Sequence, residues 1–308
     1  VCLFARQSNA GVKALFGAAL LTTVDRISPL SCAGRGLRAT CHADICAEMA
    51  IIAFSKWQGT GNDFILIDDR EAAFPLDDLR LIRLLCDRHF GIGSDGLILL
   101  RKPTSEGAAY HMEFFNPDGS RSFCGNGSRC AYAFWCEVVK DRSDARFTAI
   151  DGEHVARWKE GEVEIAMRDV QGLEQIDADS DLLNTGSPHL VLWVDDPASV
   201  DIIPAARAHR YGARFKAEGV NVNFVRWHDG RAEMRTYERG VEAETLSCGT
   251  GVTAAAISAM ARGMGSGNVT VRTEGGTLHV TARKEGASFT DVRLRGPVQK
   301  VFEGRVQH

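Results

Sequence analysis

Cys124 and Cys248 stand in near-identical tetrapeptides, Cys124-Gly125-Asn126-Gly127 and Cys248-Gly249-Thr250-Gly251, and each runs into an Ala-rich apolar segment of helical character. A thiol so placed lies at a helix N-terminus, where unpaired N–H groups and the positive end of the dipole favour an anion. Either cysteine is therefore expected to ionise below the ordinary thiol value of about 8.5. One such cysteine suggests a nucleophile or a base. Two, in matching settings in the two halves of one chain, suggest a pair facing each other across one substrate. One thiolate would remove a proton from carbon and one thiol would return a proton from the opposite side, which inverts a stereocentre.

The duplication extends beyond the cysteines. Met112-Glu113-Phe114-Phe115-Asn116 precedes the first and Met234-Arg235-Thr236-Tyr237-Glu238 the second, both reading as strands that end in a polar residue. Thr60-Gly61-Asn62-Asp63-Phe64 is echoed by Thr185-Gly186-Ser187-Pro188-His189, and His89-Phe90-Gly91 by Arg210-Tyr211-Gly212. The pairs keep their order at offsets of 121–125 residues, which argues for two copies of one module with a period too long for a solenoid.

Length and composition agree. A chain of 308 residues can build two cores, and 44% hydrophobic with 25% charged residues is ordinary for a globular protein. A net charge of −4 lacks the basic footprint of a nucleic-acid partner and leaves a small polar ligand open. Nine cysteines is an odd count without the spacing of a disulfide scaffold or a zinc site, so reduced thiols in a cytoplasmic setting are expected, with no metal. Cys130 and Cys136, at six-residue intervals after Cys124, share no helix face well and read as small core residues.

Residues 1–48 differ from the rest: they hold four of the nine cysteines and only three acidic residues. The apolar stretch from Val12 to Val24 is too short and interrupted for a membrane span. An organellar transit peptide, a poor signal peptide and a start-site artefact all fit. The favoured reading puts the natural beginning at Met49, with 1–48 a disordered, dispensable leader.

From Met49 onward short strands alternate with a few helices. Leu76 to His89 carries Leu79, Ile82, Leu85 and Cys86 on one face and reads as a helix. Ser128 to Val139 and Val252 to Arg262 are helical and apolar all round, as helices buried inside a curved sheet would be. Val163 to Met167, Leu190 to Val194, Val220 to Trp227, Val269 to Thr273, Leu278 to Ala282 and Val292 to Leu294 alternate as strands, with Gly275-Gly276 expected as a hairpin turn. Gly91-Ile92-Gly93-Ser94-Asp95-Gly96 matches a dinucleotide fingerprint as a string, but it follows a helix and precedes a strand, so that site is rejected.

Seven segments in order, Thr60-Gly61-Asn62-Asp63-Phe64, Arg88-His89-Phe90-Gly91-Ile92-Gly93, Phe115-Asn116-Pro117-Asp118-Gly119-Ser120, Cys124-Gly125-Asn126-Gly127, Gly186-Ser187-Pro188-His189, Tyr237-Glu238-Arg239-Gly240 and Cys248-Gly249-Thr250-Gly251, resemble diaminopimelate epimerase. The resemblance runs from Met49 to the C-terminus. It implies an α+β fold of two pseudo-symmetric domains, each a mostly antiparallel curved sheet wrapped around a central helix, with the site in the cleft between them. The divisions expected are 49–168 with the C-terminal strand 296–308, and 169–295. It implies interconversion of LL- and meso-diaminopimelate, towards lysine and peptidoglycan, without a cofactor. The expected partner is that small-molecule substrate; no nucleic acid and no membrane are expected, and a homodimer is left open.

Residue chemistry supports this. An α-proton is very weakly acidic, so a thiolate base needs groups that stabilise the developing charge and keep water out. Backbone N–H groups at Gly125-Asn126 and Gly249-Thr250 can converge on the α-carboxylate, and by resemblance they bind it. No lysine stands in a recognisable pyridoxal-phosphate setting, which fits a base pair acting unaided. His189 resembles the residue that accompanies the first cysteine, and Glu238 stands likewise to the second; both are expected to activate thiols. A lone histidine after Ser-Pro would by itself read as a turn residue, while Phe64 in the matching position shows that the fold does not require histidine there.

At the far end of the substrate, Arg239 offers a planar fork to a carboxylate and Glu238 can accept from an ammonium. Asn62, Asn116 and Asn221 suit a zwitterion and are substrate contacts by resemblance. Taken alone, Asn62 would read as an Asx turn and Asn221 as a strand-edge residue. Three departures from the family pattern bear on affinity before mechanism: Ser187 stands where asparagine is common and is left out of the site, Gly96 where glutamine is common, and the stretch from Asn116 to Cys124 is one residue short. Two rival readings remain. A proline or hydroxyproline racemase usually carries histidine in place of Asn126 and would not need the Glu238-Arg239 clamp. A non-catalytic thiol protein would join Cys124 to Cys248 in a disulfide.

Overall fold

The computed structural model describes residues 51–307; the expectations for residues 1–48 lie outside the described residues. Its first half runs β1 (Ile51–Gly59), β2 (Asn62–Asp68), α1 (Leu79–Cys86), β3 (Gly96–Arg101), β4 (Tyr110–Phe115), α2 (Gly125–Val139), β5 (Ala145–Ala149), β6 (Gly152–Lys159) and β7 (Glu162–Ala166). The second runs β8 (Leu173–Gln175), β9 (Ser180–Asn184), β10 (Pro188–Trp193), α3 (Ile202–Arg210), β11 (Asn221–His228), β12 (Arg231–Glu238), β13 (Ala243–Thr245), α4 (Gly249–Ala261), β14 (Asn268–Thr273), β15 (Gly276–Glu285) and β16 (Ser288–Gly296). β17 (Gln299–Gln307) then returns to pair antiparallel with β1.

The same pairing scheme occurs twice. β2 is parallel to β3 and β10 to β11, each pair spanned by a crossover that contains a helix, α1 or α3. β3 and β4 are antiparallel, as are β11 and β12. After the long helix, β4 runs parallel to β5 and β12 to β14, and both halves finish as antiparallel meanders. β7 and β16 pair antiparallel and join the halves. Registers match residue for residue: Phe64 opposes Gly96 where His189 opposes Asn221. The expected α+β fold is thus present as two repeated halves, each with strands around a central helix, but their strands are joined in one continuous sheet and not two.

α2 and α4 are those central helices. α2 buries Tyr132, Phe134 and Trp135, with Cys130 and Cys136 as core residues beside them. Tyr110 on β4 stacks on Phe147 at 5.0 Å and on Trp135 at 5.8 Å. α4 is nearly all small, burying Val252, the run Ala254–Ala256 and Ile257. Burial of each large apolar side chain contributes roughly 1.5–3 kcal/mol, so both helices are held mainly by the strands around them.

Element boundaries moved in informative ways. α1 begins at Leu79, three residues later than Leu76, because Asp78 caps it by accepting from the Arg80 and Leu81 N–H groups. α2 and α4 begin immediately after the cysteines, earlier than Ser128 and Val252, so the Cys-Gly-x-Gly segments form the first helical turns. α3 is absent from the sequence reading: only Ile202 and Ala206 of its nine residues are buried, too few for a periodic signal. In the β14–β15 hairpin Thr273 pairs with Gly276, so the turn is Glu274-Gly275 and not Gly275-Gly276. No helix among the described residues is long and apolar enough to cross a membrane.

Candidate active site

The N-termini of α2 and α4 open on one cavity of about 800 Å³. Every candidate residue except His189 lines it: Cys124, Gly125, Asn126, Cys248, Gly249, Thr250, Asn62, Asn116, Asn221, Glu238 and Arg239. Cys124 and Cys248 are the N-cap residues, with extended backbones, and both are reduced. Neither is engaged in the disulfide of the non-catalytic alternative.

Each thiol has a local partner. Cys124 Sγ accepts from the Gly127 N–H at 3.3 Å, and Cys248 Sγ lies 3.4 Å from Thr250 Oγ1. The expectation of readily ionised thiols is not met. Burial pushes Cys124 up to about 11, with Glu238 acting in the same direction, against the Gly127 N–H and the Arg129 charge. Burial, then Glu238, likewise holds Cys248 well above its ordinary value. Desolvation of a thiolate at these positions outweighs what a helix end returns.

His189 is wholly buried under the first turn of α4. Its Nδ1 faces the Asn223 amide nitrogen at 3.2 Å, and its Nε2 lies 2.9 Å from Thr250 Oγ1 and 3.0 Å from Ser187 Oγ. Asn223 Oδ1 accepts from the Thr236 hydroxyl, which leaves the amide to donate to Nδ1 and places the imidazole proton on Nε2. Burial pulls the imidazole down to about 3, so the ring is neutral at physiological pH. The resemblance assigns His189 to the first cysteine; here its ring nitrogens are engaged around α4, and Thr250 links it to Cys248.

Glu238 ends β12, with Thr245 donating to its Oε1. Burial raises its carboxyl although Thr245 and Cys248 hydrogen-bond it. Arg239 is held by its backbone N–H, which donates to Asn221 Oδ1 at 2.9 Å, and by Nη1, which donates to the Glu218 carbonyl at 2.7 Å. Asn221 Nδ2 donates to Ser187 Oγ at 3.2 Å and to the Pro188 carbonyl at 3.1 Å. Asn62 donates to Asp95 at 3.1 Å. Asp63 next to it would be raised by burial, but Arg88 and Lys56 outweigh that and hold it at about 2. Asn116 is tied into its own loop by bonds to Ser120 and Ser122 at 3.0–3.2 Å.

Sequence reasoning missed some of this wall. Ser187, left out for its short side chain, lines the cavity and bonds His189 and Asn221. Its place in Gly186-Ser187-Pro188-His189 was the available signal. Arg88, Asp95, Thr245 and Ser247 also line the cavity. Gly96 carries no side chain because a Cβ there would come within 2.4 Å of Phe114, which fills the space.

Comparison with known proteins places the chain in a family. The family model described as diaminopimelate epimerase matches residues 54–171 and 182–301. A diaminopimelate epimerase of Flavobacterium psychrophilum is 44% identical over 252 residues, covering 80% of this chain and 97% of that protein. One from Aquifex aeolicus is 38% identical over 275 residues, covering 82% and 97%. Among solved structures, a hydroxyproline epimerase from Agrobacterium vitis with bound trans-4-hydroxy-L-proline superimposes with a TM-score of 0.65 at 16% identity, covering 83% of this chain and 92% of that one. A phenazine biosynthesis protein of the PhzF family from Bacillus anthracis gives 0.60 at 12%, covering 84% and 99%. Likeness at those identities is likeness of fold.

Proposed function

The chain belongs to the diaminopimelate epimerase family, and on that premise we propose that Cys124 and Cys248 are its two bases, interconverting LL- and meso-diaminopimelate. The observation that carries the reading is the two-fold one: matching cysteines cap two helices whose N-termini line one cavity.

The substrate α-carboxylate sits against the first N–H groups of both helices, at Gly125-Asn126 and Gly249-Thr250. One thiol loses its proton to solvent as the substrate ammonium enters, and its sulfur acts as thiolate. It takes the α-proton as the C–H bond breaks, and the opposite thiol gives its proton to the other face of the same carbon. The thiol and thiolate have then exchanged roles, and no electrons leave the substrate. Since burial keeps both resting thiols protonated, the positive substrate ammonium is the charge that favours the ionised form on binding. Glu238 lies beside Cys248 and is placed to accept from an ammonium, while His189, neutral and protonated on Nε2, orients the Thr250 hydroxyl towards Cys248. Arg239 meets the distal carboxylate, with Asn62, Asn116 and Asn221 as further substrate contacts. This chemistry calls on no metal and no pyridoxal phosphate.

A cytoplasmic location and a homodimer accompany the reading. Among the described residues β17 pairs only with β1, leaving an edge that carries the exposed Val301 and Phe302. Sedimentation and cell fractionation test those two points. The activity itself is tested by α-hydrogen exchange in deuterated water with LL-diaminopimelate and with L-proline. Exchange and inversion of the former alone are expected, and turnover of proline alone would replace this reading with the racemase.

A further inference from the structure

Beneath the two helix N-termini lies a cation that the reaction as described leaves idle. Arg129, in the second turn of α2, is the largest wholly buried side chain among the described residues. Its Nη1 donates to Asn126 Oδ1 at 2.8 Å and its Nη2 to Thr60 Oγ1 at 3.0 Å, while Nε has no partner. Both partners are neutral. Among the described residues it forms no ion pair; Glu162 acts on it only through space and is itself 3.6 Å from Arg295. The pocket is fitted to the guanidinium, since a methyl group added at Gly59 would already touch Nη2 at 3.4 Å, and one at Gly296 would touch Cζ at 3.5 Å.

A buried charge without a counter-ion carries a large desolvation cost, and a well-packed apolar residue of similar volume would avoid it. Arginine cannot escape by giving up its proton at physiological pH. Two dipolar partners offset part of the cost. The rest is recovered when a negative charge arrives nearby. Two thiols face the guanidinium: Cys130, whose sulfur shares the Gly59 contact with Nη2 but is a core residue outside the cavity, and Cys124, which lines the cavity and caps the turn whose Asn126 is held by Nη1.

We propose that Arg129 is the standing counter-charge of the site, a positioning residue whose guanidinium stabilises the anion formed at the N-terminus of α2 while its two Nη bonds fix Asn126 and the Thr60 turn. The inference deepens the two-base reading and rests on it for the identity of that anion. Charge and clasp are separable, because lysine keeps the first and loses the planar fork that serves the second.

The test is the pH dependence of Cys124 alkylation by iodoacetamide, followed on its own peptide by mass spectrometry, together with kcat and KM, in Arg129→Met and Arg129→Lys. For Arg129→Met the alkylation midpoint is expected to rise by about one pH unit or more, with kcat down roughly tenfold or more. Its thermal midpoint without substrate should hold, since an uncompensated buried charge has been removed. Arg129→Lys should keep the alkylation midpoint and raise KM. A methionine variant with wild-type alkylation midpoint and kcat overturns the proposal. Should that variant fail to fold, lysine decides: a wild-type KM overturns it. An Arg129-dependent midpoint in a protein that does not exchange the diaminopimelate α-hydrogen would instead sink the substrate reading and leave this one standing.

Discussion

Asn126 Nδ2 on the first turn of α2 donates at 3.2 Å to the carbonyl of Ser247, the residue before Cys248. One side chain thus joins the N-termini of α2 and α4, and the same nitrogen lies 2.6 Å from Asn62 Oδ1. Gly249 permits the approach, as a Cβ there would stand 3.2 Å from Asn126 Oδ1. Asn126→Leu removes the donor and leaves the Ser247 and Asn62 oxygens and Arg129 Nη1 without this partner. We expect a loss of about 1–3 kcal/mol in stability, read by urea denaturation, and a larger fall in kcat than in stability-matched surface variants. Wild-type stability and turnover would mean that the bridge does not matter.

Exchange and inversion should separate when one base is removed. Cys124→Ala and Cys248→Ala are each expected to lose epimerisation by at least about 10³-fold, with serine replacements nearly as damaging because a hydroxyl is far harder to ionise. The remaining thiolate can still remove and return a proton on its own face, so slow deuterium incorporation into one isomer without inversion is the expected signature. Full epimerisation by either variant would leave a one-base mechanism.

The thiols of the resting protein should be poor nucleophiles at neutral pH. Cys124 is raised from 9.0 to about 11, so its alkylation should climb with pH towards that value. Stability follows the same sign: the contribution of this protonated thiol is complete below pH 9.0 and lost as pH rises through about 11. Cys124→Ala should therefore lose less stability than the wild type between those limits. His189 runs the other way, lowered from 6.5 to about 3, so its contribution is complete above pH 6.5 and lost on acidification towards 3. His189→Gln should flatten that acid limb in urea titrations, and an unchanged acid limb would show that the neutral ring contributes nothing to it.

The β14–β15 turn packs against the first half with no room to spare. A Cβ on Gly275 would fall 1.9 Å from the Thr60 carbonyl oxygen, while its N–H donates to the Leu246 carbonyl at 2.8 Å. Gly275→Ala is expected to cost about 1–3 kcal/mol or more and to raise KM, because Thr60 and Leu246 lead directly into cavity residues. Gly286→Ala, where nothing lies within 4 Å, is the control for a positive-φ glycine without a packing conflict. Gly275 has no positive φ, so a loss no larger than that of Gly286→Ala would show that the close approach to Thr60 is relieved at little cost.

The chain order of residues was enough to expose the duplicated Cys-Gly-x-Gly segments, the two apolar helices behind them, most strands and eleven of the residues that line the cavity. These signals are local: a cap, a period, a turn or a tetrapeptide seen twice. α3 escaped because a helix that buries only Ile202 and Ala206 leaves no stripe to read. The thiol energetics also lay beyond the sequence, since helix position favours an anion but burial opposes it, and how far the cavity closes depends on packing between distant segments. Tertiary structure likewise decided that Ser187 belongs to the wall, that His189 is a neutral donor beneath α4, and that Arg129 forms no ion pair among the described residues and leaves Nε unpartnered there. Each depends on which dipoles and charges meet across 60 residues or more of chain, or on what a strand register places opposite a side chain, and neither is written in the spacing of the residues themselves.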